Sequence, residues 1–282
     1  MTAAPRLSLP RFWAELTTRD IEALDPARTV AVLPLGATEQ HGPHLPLGVD
    51  SLLADGLVQA TLPQLPADLP ILFLPTQAVG LSPEHARFAG TLTLSAETLI
   101  RLWKEIGAGV ARTGLRKLVL FNAHGGHAGP MDIVARELRE AHDLLVYSVS
   151  WFNLPLIDAQ GQPLTLDRFD VHAGESETAM MLALAPGLVR QELARNFRPT
   201  SQQRARDYPI LGNGRSAKLG WAMQDYHPAG AAGNAAAATA AQGRALVDAA
   251  ARAFAALLDE VSRLPLDTLA SHPPRYDGPA KP

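Results

Sequence analysis

Cysteine is absent from all 282 residues, which excludes disulfides, thiolate metal sites and cysteine nucleophiles together. Long apolar runs are missing too. No stretch reaches the length of a bilayer span, and Met1–Pro10 lacks the apolar core of a signal peptide. A cytoplasmic chain without a membrane partner is expected. Charge of one sign is scarce: 25 Lys and Arg face 28 Asp and Glu, a net of −3 with no basic cluster. Nucleic acid is therefore not an expected partner. There is no Gly-x-Ser-x-Gly elbow, and Ser82 in Gly80-Leu-Ser-Pro reads as part of an apolar turn, so serine catalysis is disfavoured. A phosphate-cradling loop is also missing, because Gly125-Gly126 is followed by His127 and not by a P-loop lysine.

What is present suffices for a sizeable core, with 47% hydrophobic and 19% charged residues. Thr29–Leu35, Ile71–Leu74, Lys117–Phe121 and Leu144–Val149 read as buried strands. Between them lie helical patterns over Leu52–Leu62, Ala96–Thr113 (capped by Ser95) and Pro130–His142, with further helix at Thr178–Leu184 and in the Ala-rich stretch Ala235–Leu264. Arg190–Asp225 reads as irregular. Strands alternating with helices predict an α/β fold of three layers, a mainly parallel central sheet flanked by helices, as a single domain over residues 1–282.

Three segments carry chemistry. Glu39, His41 and Asp50 leave the first strand and lead into a helix, and Glu39 and His41, two apart, point to one side of an extended backbone. Asn122-Ala-His124-Gly-Gly-His127 follows a second strand. In open α/β sheets ligands bind outside the carboxyl ends of strands, so both loops open on one edge. The third segment is His172-Ala-Gly-Glu175-Ser-Glu177. Singly each residue has a plain role: Asp50 as a helix cap, His124 and His127 as turn residues, His44 among prolines as a structural side chain. Together, so many carboxylates and imidazoles are costly to bury without a cation. With no thiolate available, zinc, manganese, iron or magnesium suits the donor set.

These residues resemble the creatininase family (creatinine amidohydrolases). Gly36-Ala-Thr-Glu-Gln-His-Gly-Pro-His44, Asp50, Phe88-Ala-Gly-Thr91, Asn122-Ala-His-Gly-Gly126 and His172-Ala-Gly-Glu-Ser-Glu-Thr178 carry the likeness, with Asp225–Gly230 and Thr239–Gly243 further along. The resemblance implies two divalent metal ions (zinc, manganese or iron), a small-molecule substrate and a homo-oligomer, often a hexamer. By position Glu39 and His124 would hold one metal, His41 the other, and Asp50 would bridge. His172 matches a proton-moving histidine and Glu177 an acidic neighbour. The sequence departs from creatininase itself where a tyrosine and a metal-binding glutamate become Gly125 and Gly126, and where a tryptophan becomes Arg168. Glu177, then Glu175, is the replacement ligand to expect, and His127 either joins the metals or holds its loop and touches substrate. Phe88, Thr91, Trp151, Arg168 and His127 are the expected substrate contacts, with the Leu81–His85 loop beside them. The expected reaction is attack of a metal-bound hydroxide on a non-peptide C–N bond of a cyclic amide, ureide or formamide, with His172 passing a proton to the nitrogen. A hydrolase of a keto-sugar or inositol is the alternative, and a non-catalytic metal-binding subunit a further one.

Overall fold

Strands covered by helices on both faces need apolar residues at every position, and the first strand supplies them. The computed structural model describes residues 10–270. In chain order its elements are α1 (Thr18–Glu22), β1 (Val30–Leu35), α2 (Val49–Thr61), β2 (Ile71–Phe73), α3 (Ala96–Arg112), β3 (Lys117–Asn122), α4 (Ala128–His142) and β4 (Leu145–Ser150). Then come α5 (Glu175–Leu184), β5 (Asn196–Phe197), α6 (Thr200–Asp207), β6 (Gly233–Asn234) and α7 (Ala240–Arg263). The expectations for Met1–Pro10 and for the two ends of the single domain reach residues 1–9 and 271–282, which lie outside the described residues.

The central sheet is parallel throughout, in the order β2-β1-β3-β4, as expected. Alternation along the strands divides the core in two. Val30, Val32, Val119 and Phe121 pack towards α2, α5 and α7 with Leu53, Leu57, Met181 and Phe254, and the Phe121 and Phe254 rings stack at 3.9 Å. Ala31, Leu33, Leu118 and Leu120 face α3 and α4, meeting Leu99, Trp103, Val134 and Leu138. Three layers result. From β1 the chain crosses to β2 on one side, while β3 lies on the other. The loops leaving the carboxyl ends of β1 and β3 therefore diverge around a crevice, the usual ligand position in such sheets.

Two details differ from the sequence reading. Asp50 does not cap α2: the helix starts at Val49, with Gly48 as its N-cap and no side-chain capping bond. Arg190–Asp225 contains the eight-residue α6, an almost wholly polar helix without the apolar spacing that would reveal it. No helix among the described residues is long and apolar enough to cross a membrane.

Candidate metal centre

Four histidines and three carboxylates converge at the crevice. Asp50, in the first turn of α2, sends its two oxygens to different imidazoles: Oδ1 lies 3.5 Å from His41 Nε2 and Oδ2 3.5 Å from His124 Nδ1. Glu39 Oε1 is 3.4 Å from His124 Nδ1, 3.6 Å from His172 Nδ1 and 3.3 Å from His85 Nε2. Glu177 Oε2, from α5, is 3.9 Å from His41 Nε2. Two triads gather within coordinating reach, Glu39 with Asp50 and His124, and His41 with His172 and Glu177; a third joins Glu39, His85 and His172. Ligand atoms about 2.0–2.2 Å from one tetrahedral zinc are themselves about 3.3–3.6 Å apart.

Among the described residues, both Glu39 oxygens, His41 Nε2 and Asp50 Oδ2 are buried without a hydrogen-bond partner. Buried polar atoms rarely go unpaired, and a cation satisfies all four. The outer bonds agree with this. His41 Nδ1–H donates to the Glu39 carbonyl at 3.0 Å, and His124 Nε2–H to the Leu81 carbonyl at 3.0 Å. Each bond fixes the tautomer that turns the other nitrogen inward, as metal-bound histidines require. The residues present fit bound divalent metal.

The charges show the same conflict. Burial works to lower both imidazoles, yet Asp50 raises His41 to about 9, and Glu39 raises His124 to about 10. Burial works to raise Glu39, but His124, His172 and His41 hold it well below the usual carboxylate range. Burial pushes Glu177 up to about 7 although His41 opposes it. His172 is kept neutral by burial and by the neighbouring His41 and His85. Its Nε2–H donates to the Gln40 carbonyl at 2.7 Å, so Nδ1 turns to Glu39. The next residue, Ala173, sits at φ 50° and donates its N–H to Glu177 Oε2 at 2.6 Å. A left-handed alanine costs about 1–2 kcal/mol, and here it sets His172 and Glu177 side by side.

A cavity of about 280 Å³ opens on the cluster, lined by Asp50, His85, His124, His172, Glu177 and Trp221 among others. Several expected contacts are not there. His127 is spent on its loop: Nδ1–H donates to Asn122 Oδ1 at 3.0 Å, and Nε2 accepts the Leu81 N–H at 3.2 Å. Neither nitrogen is left for metal or substrate. Trp151 is buried in the core against Phe152 and away from the cavity. Thr91 Oγ1 accepts the Gln40 N–H at 3.1 Å, holding the loop and not lining the cavity, and Phe88 is not on its wall either. Arg168 lines a neighbouring cavity. Glu175 turns away and accepts from Gln242 Nε2 at 2.8 Å, so of the two glutamates in this segment Glu177 is the one facing His41. Ser82 sits in no apolar turn: its Oγ is 3.5 Å from His124 Nε2, whose proton goes to Leu81, so it has no base.

Sequence reasoning missed Glu84, His85 and Gln40 as named site residues. Gln40 Nε2 donates to His85 Nδ1 at 2.7 Å while its Oε1 accepts the Gly42 N–H at 3.0 Å. The amide orientation thus directs the His85 Nε2–H at Glu39. Glu84 also explains Gly126. A Cβ at 126 would meet Glu84 Oε1 at 2.6 Å and His124 Nε2 at 2.4 Å, so no glutamate fits there. The adjacent acid and imidazole in Pro83-Glu-His85 were the available signal.

Comparison with known proteins gives one consistent answer. The family described as creatinine amidohydrolase matches residues 14–258. A mycofactocin precursor peptide peptidase of Mycobacterium tuberculosis is 36% identical over 238 residues, 82% of each chain. A creatinine amidohydrolase of Pseudomonas putida is 34% identical, covering 63% of this chain and 73% of that one. A zinc–zinc form of a mutant creatininase superposes with a TM-score of 0.72 at 26% identity, over 91% of this chain and 100% of that one. With the family matched over most of its length, this chain belongs to the creatininase family.

Proposed function

We propose that the chain is a metal-dependent hydrolase that cleaves the C–N bond of an amide, in a cyclic amide, ureide, formamide or short peptide. The observation that carries this reading is Asp50, whose two oxygens face His41 and His124 separately. Glu39, Asp50 and His124 would hold one divalent ion, and His41, Asp50 and Glu177 the other, with zinc, manganese or iron as candidates. Such a pair, when bound, polarises a carbonyl and lowers the pKa of water. The relatives' names, one a peptidase and one an amidohydrolase, support an amide-type bond. They widen the class beyond the non-peptide bonds expected from sequence.

The chain's own residues supply orientation and proton movement. The Gln40 carbonyl holds His172 by its Nε2–H, leaving Nδ1 to take a proton and return it to the departing nitrogen. Neutral at rest, His172 starts as the base. The balance is that of hydrolysis: water oxygen joins the carbonyl carbon, the C–N bond breaks, and nitrogen leaves with the proton. Val171, Leu219 and Trp221 give the cavity an apolar wall against bulk water.

The test is a screen of formamides, lactams, ureides, short peptides and keto-inositols against enzyme loaded with zinc or manganese, alongside His172→Ala. Amide turnover is expected, falling about 100-fold or more in the variant at unchanged metal content. Turnover confined to keto-inositols, or a variant as active as wild type, overturns the reading.

A further inference from the structure

A second cavity adjoins the metal-ligand cluster, and Val171, Leu219 and Trp221 line both. The two are opposite in charge. The first carries Asp50, Glu84 and Glu177. The second, of about 270 Å³, is lined by Arg168, Arg204 and Lys218 and by no carboxylate. Ligand pockets commonly occupy about 300–1,000 Å³; neither cavity reaches that size, but the joined pair does.

Among the described residues, none of the three cations takes part in an ion pair, although other arginines do so freely on helix surfaces. Two of them are held in place by aromatic faces. The Arg168 guanidinium lies 4.4 Å over the Phe169 ring and donates from Nη1 to the Gly212 carbonyl at 3.3 Å. Arg204 lies 5.3 Å over the Tyr226 ring, which is on the cavity wall. Stacking on a ring fixes a guanidinium while leaving most of its N–H groups free to donate. Ser201, on the same wall, has a hydroxyl that is buried and, among the described residues, bonded to nothing. Like charges gathered in one concavity repel, and they draw in an anion. A planar guanidinium matches a carboxylate in particular, through paired parallel hydrogen bonds.

We propose that this second cavity is a carboxylate subsite, so that the amide substrate carries a free carboxylate beyond its scissile bond. The inference rests on the amide-hydrolase reading. With the carbonyl at the metal cluster, the substrate runs past Trp221 and places its anionic end between Arg168 and Arg204. The carboxylate belongs either to a C-terminus or to an acidic side chain, since both present the same group.

The experiment uses levulinate and its longer methyl-ketone homologues, each paired with the keto-alcohol that carries CH2OH in place of the carboxylate. A ketone mimics the scissile carbonyl but has no C–N bond to break. Binding to the metal-loaded enzyme is measured by titration calorimetry. At one chain length the acid is expected to bind about tenfold or more tightly than its keto-alcohol, the effect of a hydrogen bond to a charged group. In Arg168→Gln/Arg204→Gln that ratio should fall to about one with metal content unchanged. A ratio near one at every length in wild type, no saturable binding of any acid, or a preference surviving in the double variant overturns the subsite. Inorganic phosphate displacing the best acid at lower concentration than that acid's own Kd overturns the carboxylate assignment. Rates on acetylated tripeptides, with a free C-terminus or with a blocked C-terminus and an internal aspartate, then distinguish the two sources. The two readings fail separately. Acid preference without any amide turnover sinks the hydrolase and leaves the subsite, and turnover without preference does the reverse.

Discussion

His44 lies three residues after His41 but faces a different task. Its Nε2 meets Thr178 Oγ1 at 2.9 Å, and its ring stacks on Phe197. Burial, with some repulsion from His41, lowers its pKa to about 4. An unfolded histidine titrates near 6.5, so between pH 6.5 and about 4 the unfolded chain holds a proton that the folded chain lacks. Stability from this group is therefore full above pH 6.5 and is lost as pH falls towards 4. His44→Gln, which removes the titration, should lessen the acid sensitivity of stability by about 1–2 kcal/mol between pH 7 and pH 5. Urea unfolding at the two pH values measures it, and an identical pH dependence in wild type and variant refutes it. His44 was legible as structural from its proline neighbours, and Glu39, His41, Asp50 and His124 were legible from strand-end loops. Glu84 and His85 were not, because their loop follows a strand of only three residues and meets Glu39 and His124 through packing that the sequence does not display. Trp151 and His127 misled for a related reason: residue type shows what a side chain can do, while loop packing decides which way it faces.

At the scale of elements, the small residues of the Ala-rich α7 have a physical reason. α7 crosses α5 so closely that a Cβ on Gly243 would fall 1.8 Å from the Ala179 carbonyl oxygen. Ala179 is two residues beyond Glu177 on the same helix. Gln242 adds a clamp from α7 to Glu175. Gly243→Ala must push α5 away from α7, and the contact is backbone, which cannot rotate aside. Overpacking of this kind costs about 1–3 kcal/mol, and here it also displaces Glu177 from His41. The variant should melt several degrees lower and lose metal affinity, where a change confined to packing would lower the melting point alone. Melting curves with and without added zinc distinguish the two. The strands and long helices were legible because apolar periodicity is strong there. α6 was not, having no apolar stripe, and the start of α2 was misplaced because Asp50 serves the cluster and not the helix end.

For the whole molecule, the buried cluster couples folding to metal and to pH. Without a metal, protons take the place of the cations: His41 and His124, raised to about 9 and 10, hold imidazolium charge against Asp50 and Glu39. For groups raised in this way, the stabilisation is full below the unfolded value near 6.5 and is lost as pH rises through 9 to 10. Glu177, raised to about 7, weakens the metal-free fold over a lower window, as pH rises from its unfolded value near 4.3 to about 7, and the two histidines continue the weakening above it. Metal ions need deprotonated ligands, so their binding strengthens over the same interval and releases protons. At about 1,000 times the dissociation constant, bound metal stabilises by about 4 kcal/mol. For a chain of this size that is on the order of 10 °C in melting temperature. The difference in melting temperature between zinc-loaded and chelator-treated protein should therefore widen from pH 6.5 to pH 8.5. Zinc added to the metal-free protein in weak buffer at pH 7.5 should release about two protons per chain, one from each histidine. A difference that stays constant or narrows with pH, or zinc uptake without acidification, would place the binding site outside this cluster.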